Sequence, residues 1–198
     1  MSREWRNHFR STACHNTVQV DGEELNRFTH PDELWRLRYD ARPTDVRCGE
    51  SAEWQYVGAA HRGYERLAEP ITHRRTVIVH QRRPGAIVAD RLDGRGRHRF
   101  TWRFHLDPSI HAVLGGHRAE LTTRGRSLWL ECVQAPAGLT LSLQKGWVSP
   151  RYGVKQARTV VVAETWAEAP ITCVWRVVGH ERDGAGDLSW QAAIEECT

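Results

Sequence analysis

Apolar and polar residues alternate along most of this chain in short runs that turn residues separate. Alternation with a period of two is typical of half-buried β-strands, and short strands at regular spacing indicate a sandwich or a large antiparallel sheet. The pattern gives little evidence for helices, so we predict an all-β fold. The predicted strands cover residues 17–20, 33–39, 53–57 (running on toward 60–64), 71–80, 86–92, 98–106, 117–123, 127–133, 139–144, 159–165, 171–178 and 188–193.

Turn signals fall between these strands. Residues 21–22 are an Asp-Gly pair of the hairpin type, residues 42–45 break the pattern, and residues 83–85 join two strands into a hairpin. Residues 150–153 carry a turn signal that precedes a later strand. The chain has no internal repeat and no low-complexity linker, so we predict one domain over residues 1–198. In strand 98–106, period two places one apolar set on a single face: Phe100, Trp102 and Phe104.

Composition narrows the function classes. The chain has nine tryptophans, and its formal net charge of +4 comes almost entirely from arginine. Arginine binds carboxylates and phosphates, but without a lysine-rich tail or basic helix we do not expect nucleic-acid binding. No apolar run is long enough to span a membrane, and because the first residues lack an apolar core we expect no signal peptide on this chain. The five cysteines include no Cys-x-x-Cys pair, so a redox motif or a zinc knuckle is not indicated.

Histidine is the most chemically suggestive residue, with eleven copies. Four of them are candidates on local context: His15, His61, His73 and His105. Imidazoles from different strands with one carboxylate make a plausible zinc site, although no compact metal motif is present. No Gly-x-Ser-x-Gly elbow exists, and Cys14 beside His15 would point to the opposite face of a strand. Asp90 and Asp93, which neighbour arginines, fit turn and ion-pair positions better than a glycosidase pair.

A family resemblance adds what spacing does not supply. Residues 9–22 (Phe-Arg-Ser-Thr-Ala-Cys-His-Asn-Thr-Val-Gln-Val-Asp-Gly) closely resemble the opening of the C-terminal β-domain in heparinase II/III-like polysaccharide lyases. Further pieces match in the same order at 61–64, 73–75, 88–91 with 104–108, 146–147 and 152–153. The resemblance implies a large antiparallel β-sandwich of the type found as the C-terminal domain of polysaccharide lyases. It also implies an N-terminal α/α toroid, which we expect to lie outside this chain.

The resemblance also implies site residues. Relatives bind structural zinc through His, Asp and His, which correspond to His15, Asp32 and His61, with His30 as a substitute for the loosely matched carboxylate. His15 is also the candidate for a catalytic part. The resemblance suggests three residues that line a groove for an acidic sugar: Arg10, Tyr64 and Tyr152. His73 and His105 are expected to be structural.

The resemblance implies that the chain is the C-terminal domain of a lyase that cleaves uronate-containing polysaccharide by β-elimination. Such chemistry needs a neutralised carboxylate, a base and an acid. Because the main catalytic Tyr and Asn or His belong to the toroid in the family, we expect this chain to act with a toroid domain or partner chain. The alternatives are a non-catalytic carbohydrate-binding or scaffold module and a truncated, inactive fragment. Family resemblance places the protein in the cell envelope or periplasm.

Overall fold

The computed structural model describes residues 2–82 and 84–179 and shows a sandwich of two antiparallel β-sheets. The all-β prediction is confirmed. One helix, α1, spans Arg3–Arg10, and one turn of 3-10 helix spans Thr12–Cys14. The strands of the described residues are β1 (Val18–Val20), β2 (Thr44–Glu50), β3 (Trp54–Tyr64), β4 (Ile71–His80), β5 (Gly85–Gly94), β6 (Arg97–His105), β7 (His111–Gly115), β8 (Arg118–Thr123), β9 (Arg126–Gln134), β10 (Thr140–Arg151), β11 (Val154–Glu168) and β12 (Ile171–Gly179).

The two sheets differ in size. The small sheet has the order β1-β6-β11-β10, and the large sheet has the order β2-β3-β4-β5-β12-β9-β8-β7. Strands β2 to β5 follow one another at one end of the large sheet, and β7 to β9 form the other end. The chain therefore crosses between the sheets five times, after β1, β5, β6, β9 and β11. These crossings bring the early strand β1 beside β6, far from its neighbours in sequence.

The core lies between the sheets. Strand β6 buries Phe100 and Trp102 completely, and Phe104 packs against Trp175 of β12 with ring centroids 4.8 Å apart. This is the apolar face that the alternation predicts. Each such side chain contributes roughly 1.5–3 kcal/mol when it leaves water. Val18 and Val20 of β1 are fully buried in the same core, so this three-residue strand is anchored at the sandwich edge.

Helix α1 is the main element that the pattern did not predict. Ser2 precedes it, and the Ser2 hydroxyl accepts a hydrogen bond from the Trp5 amide at 3.3 Å, which satisfies one free amide of the first turn. None of its eight residues is buried. A short helix without a buried apolar stripe leaves little periodic signal, which explains the omission.

The strand predicted at 33–39 is wrong. This stretch makes only an isolated bridge between Phe28 and Leu37, and the side chains of Trp35 and Tyr39 are 82% and 79% exposed. No neighbouring strand takes up its backbone groups. Arg6 donates to the Leu34 carbonyl at 3.1 Å instead.

Two edge strands, β2 and β7, were not predicted, because β2 is mostly polar and exposed and β7 has only five residues, which is too short for a clear alternation. The break predicted at 42–45 falls where β2 begins, with a register shift and with Asp45 at φ 51°. The predicted turn at 21–22 is present, with positive φ at both residues, but β1 pairs with β6 and no hairpin forms. The predicted strand 188–193 lies outside the described residues.

Candidate functional site

The segment between α1 and β1 is fixed through Thr12. The Glu24 carboxylate accepts hydrogen bonds from the Thr12 amide at 2.6 Å and from the Thr12 hydroxyl at 2.7 Å. The Leu25 amide in turn donates to the Thr12 hydroxyl at 2.6 Å. Thr12 is buried, so these bonds are protected from water. They hold the start of the His-Asn-Thr segment against the loop that follows β1.

Asn16 and Ala13 are held from two further sides. The Arg75 guanidinium donates to the Asn16 carbonyl at 2.6 Å, and the His105 amide donates to the Asn16 side chain at 2.9 Å. The His105 ring donates through Nε2 to the Ala13 carbonyl at 3.1 Å. His15 lies between these two anchored residues, and its side chain is exposed. The backbone is thus fixed while the imidazole faces solvent.

Beneath this segment lies a buried ionic group centred on Asp90, which has no exposed surface. Arg75 donates to both Asp90 oxygens, at 2.7 and 2.9 Å. The Trp102 indole donates to Asp90 Oδ2 at 3.1 Å, and His73 Nε2 donates to Oδ1 at 2.6 Å. Burial acts to raise the pKa of Asp90, but Arg75 and His73 outweigh it and hold that pKa well below its usual range. Asp90 is therefore a fully partnered carboxylate.

His61 extends this group toward the surface. Its Nδ1 accepts from the Gly63 amide at 3.3 Å, so Nε2 carries the proton and donates to His73 Nδ1 at 2.9 Å. Burial first, then the neighbouring His73 and Arg75, lowers the pKa of His61 to about 3. A register shift between His61 and Tyr64 interrupts the pairing of β3 with β4. Such a bulge lets both side chains face the interior, with ring centroids 5.9 Å apart.

The surroundings of His15 are cationic. Burial first, then Arg158, lowers the pKa of His105 to about 4, and His15 contributes in the same direction. Arg103 donates to the Gln19 side chain at 2.8 Å on the same outer face of the small sheet. Burial also raises the pKa of the Cys14 thiol, so Cys14 is not an activated nucleophile. The site therefore offers an exposed imidazole beside arginines that suit an anionic ligand.

Two of the three predicted zinc ligands, Asp32 and His61, are engaged elsewhere, whereas the His15 ring is exposed. Both ring nitrogens of His61 are hydrogen-bonded, and Asp32 pairs with Arg3 on the exposed surface. Across residues 2–82 and 84–179, no three His, Cys, Asp or Glu side chains are grouped closely enough to hold a metal ion. As arranged here, His15, Asp32 and His61 do not fit a common metal. The zinc site stays a prediction, and His30, whose ring lies against Asp32, adds no third ligand to it.

The three predicted sugar-binding residues have different surroundings. The Arg10 guanidinium stacks on Phe28 and donates to the backbone carbonyls of Glu33 and Arg36, both at 2.8 Å, so it fixes the loop after β1. Tyr64 has no exposed surface, and its hydroxyl donates to a backbone carbonyl of β1 at 3.0 Å, which does not fit contact with a sugar. Tyr152 is 85% exposed at the tip of the β10–β11 hairpin and is accessible to a ligand.

The buried group around Asp90 was only partly foreseen. The expected ion pairing of Asp90 and Asp93 is confirmed, since Asp93 bonds Arg74 and Arg91. His73, which was expected to be structural, donates to Asp90. The register of strands 71–80 and 86–92 could have predicted this group from the sequence. Residues 73 and 75 share a face, and antiparallel pairing places Asp90 opposite Arg75.

The chain is thus a two-sheet antiparallel sandwich with the His-Asn-Thr segment held beside its small sheet. Residues 1–191 match the family described as Heparinase II/III-like, C-terminal, and the chain belongs to this family. The predicted family is therefore confirmed. A search of curated proteins finds no match. No helix of the described residues is long and apolar enough to cross a membrane.

Solved structures share the fold. A heparan sulfate lyase, HepC from Pedobacter heparinus, is 19% identical with a TM-score of 0.72, and the match covers 92% of this chain and 26% of that chain. Two heparinase III structures have TM-scores of 0.69 and 0.67 at 16% and 14% identity. They are matched over 93% and 95% of this chain and over 28% and 26% of their own. The chain thus spans about a quarter of the length of these proteins.

Proposed function

We propose that this chain is the C-terminal domain of a polysaccharide lyase and forms one wall of the cleft for a uronate-containing polysaccharide. The observation that carries the proposal is the exposed imidazole of His15, held on a backbone that Arg75 and His105 fix on both sides. A rigid support positions a functional side chain more accurately than a mobile loop does. Membership of the heparinase II/III-like family supports the reaction class.

In this proposal the cationic surface and His15 have separate parts. β-Elimination removes the proton beside the uronate carboxylate and expels the glycosidic oxygen, so it needs charge neutralisation, a base and an acid. Arg103 and Arg158 offset the negative charge of the uronate carboxylate. His15 hydrogen-bonds the sugar or transfers a proton to or from it, because its ring is not engaged elsewhere in the described residues. The remaining acid and base groups come from a toroid domain or partner chain.

Zinc is not required by this proposal. The metal site remains a separate prediction, and elemental analysis of purified protein, with and without His15→Ala, tests it directly. Action in the cell envelope or periplasm likewise follows from the family alone. A carbohydrate-binding module without catalysis is the second candidate, and the accessible ring of Tyr152 at a hairpin tip favours it.

Affinity electrophoresis tests the proposal. The chain is run through gels that contain alginate, heparan sulfate or a neutral glucan, and we expect retardation only by the acidic polysaccharides. In the protein assembled with a toroid, His15→Ala should lower the rate at which unsaturated uronide forms by roughly 100-fold, the usual contribution of a proton-transfer group. Exposed His111 on β7 provides the matched control, since His111→Ala should leave the rate unchanged.

Equal migration in all three gels would contradict the proposal. Retardation by acidic polysaccharide with full activity in His15→Ala would instead support the binding-module alternative. Formation of unsaturated uronide by this chain alone would argue for a self-sufficient enzyme and against the module.

A further inference from the structure

The only two lysines of the sequence stand over the same indole ring. Lys145 Nζ lies 4.9 Å and Lys155 Nζ 4.1 Å from the Trp147 ring centroid. Lys155 Nζ also lies 3.3 Å from the Trp5 ring centroid. Cation–π contact with tryptophan is favourable and limits where each ammonium group points. Two flexible side chains are therefore gathered at one place.

The hairpin of β10 and β11 and helix α1 build this place together. The two strands pair from Thr140 to Arg151, and a turn at Tyr152-Gly153, with Gly153 at φ 74°, reverses the chain. Trp5 of α1 meets Trp147 edge to face with centroids 6.0 Å apart. An edge-to-face pair is a preferred aromatic geometry. The helix therefore extends the aromatic surface of the hairpin.

Neither lysine is neutralised by a carboxylate within residues 2–82 and 84–179. Both side chains are exposed, and no Asp or Glu carboxylate of the described residues lies within 4 Å of either ammonium group. By contrast, many of the arginines described above have a carboxylate or carbonyl partner. Two unpaired ammonium groups on an aromatic base form a surface that suits an anionic ligand with an apolar face. An acidic pyranose has both properties.

This surface is continuous with the His15 segment. Cys14, next to His15, places its sulfur 3.4 Å from His8 Nε2, and the His8 ring meets the Trp5 ring at 5.2 Å. The Trp5 ring in turn contacts the Trp147 ring, and Tyr152 lies farther along the hairpin, at its tip. A series of side-chain contacts through α1 therefore links the His15 segment to the ring that both lysines contact.

We propose that Lys145, Lys155 and Trp147 form a second subsite that binds the carboxylate or sulfate groups of an acidic saccharide at a distance from His15. The subsite holds the chain by its charge, and it takes no part in bond cleavage. This inference rests on the proposed function, because it assigns further binding residues to the same polysaccharide. It predicts that a longer saccharide gains affinity that a short one does not.

The test measures retardation of the 198-residue chain in gels containing alginate, which carries carboxylates only, or heparan sulfate, which also carries sulfates. The double variant Lys145→Gln/Lys155→Gln should bind about fivefold more weakly, because it loses two exposed ionic contacts with the saccharide. Lys145→Arg/Lys155→Arg retains the charges and should bind like the wild type. Arg82→Gln/Arg126→Gln removes two exposed charges elsewhere and should also bind like the wild type. Thermal unfolding of each variant checks that the fold is kept.

The outcomes separate this inference from the proposed function. If the wild type is retarded and the glutamine variant is retarded equally, the second subsite is wrong while the proposed function stands. If the two arginine-to-glutamine changes weaken binding as much as the lysine changes, only net charge matters and the subsite is again wrong. If the wild type is not retarded by either acidic polysaccharide, both proposals fail. A loss in alginate and heparan sulfate alike identifies the carboxylate as the recognised group, whereas a loss in heparan sulfate alone identifies the sulfate.

Discussion

The interior of the sandwich and its outer surface near α1 both contain imidazole and cationic side chains. The two regions differ in whether these side chains have partners within the protein. Inside, Arg75 and His73 donate hydrogen bonds to one carboxylate, and His61 donates to His73. Outside, His15 and the two lysines have no carboxylate partner among the described residues. Burial costs a charge its hydration and demands a partner, whereas an exposed group keeps its hydration until a ligand displaces it. The interior set therefore supports the fold, and the surface set is available for binding.

Removing the interior carboxylate should produce the largest effect. Asp90→Ala leaves Arg75 and His73 without their partner, so we expect a loss of about 3–5 kcal/mol in the free energy of unfolding. Urea unfolding followed by tryptophan fluorescence measures it. Asp32→Ala removes an exposed carboxylate paired with Arg3 and should change stability by less than about 1 kcal/mol. Similar losses of unfolding free energy in the two variants would contradict the claim that the interior carboxylate supports the fold more than the surface carboxylate does.

Acid should lower the free energy of unfolding through the buried residues around Asp90, at a pH where Asp90 itself is still ionised. The pKa of His61 is about 3 in the folded protein against about 6.5 when unfolded, so the unfolded state binds more protons below pH 6.5. Stability is therefore lost as the pH falls through this window. We expect a drop of about 1–2 kcal/mol in the free energy of unfolding between pH 7 and pH 5 from this group. The depressed pKa of Asp90 adds its loss only below about pH 4.

Urea unfolding at the two pH values checks this prediction, with His61→Gln as the comparison. Glutamine has no titrating group, so its unfolding energy should change less between pH 7 and pH 5. An equal drop in the wild type and the variant would assign the acid sensitivity to other groups.

The smallest effect on stability is expected at the surface. His15→Ala should change the free energy of unfolding by less than about 0.5 kcal/mol, because the ring is exposed and the supporting bonds come from Asn16 and Ala13. Thermal or urea unfolding measures it beside the activity loss expected above. A destabilisation of several kcal/mol would mean that His15 belongs to the fold and not to a binding surface.

The sequence predicted the central strands well, because β4, β5 and β6 combine strict alternation with clear turns. It failed where local pattern and tertiary partners disagree. Residues 33–39 alternate like a strand, but Arg6 and Arg10 occupy the carbonyls that another strand would use. Helix α1 owes its position to contacts with residues more than twenty positions away, which no local window contains.

In the candidate site, too, the local sequence pattern does not reveal which residues become partners in the folded protein. Period two places His73 and Arg75 on one face, but only the register of β4 with β5 brings Asp90 to them. A slip of one residue would turn Asp90 to the outer face. Tyr64 was expected to meet a sugar, and the bulge beside His61 turns it into the core instead. Family resemblance identified the His-Asn-Thr segment, although it did not reveal which of its neighbours hold it in place.

Because lysine is scarce in this domain, chemical labelling of its lysines can report whether a ligand is bound. An acylating reagent that reacts with primary amines has only Lys145 and Lys155 as side-chain targets in 198 residues. Both amines stand at the Trp147 ring, so every peptide labelled on a lysine reports the state of this one patch. Protection from acylation can therefore show whether that patch is occupied, with no probe engineered into the protein.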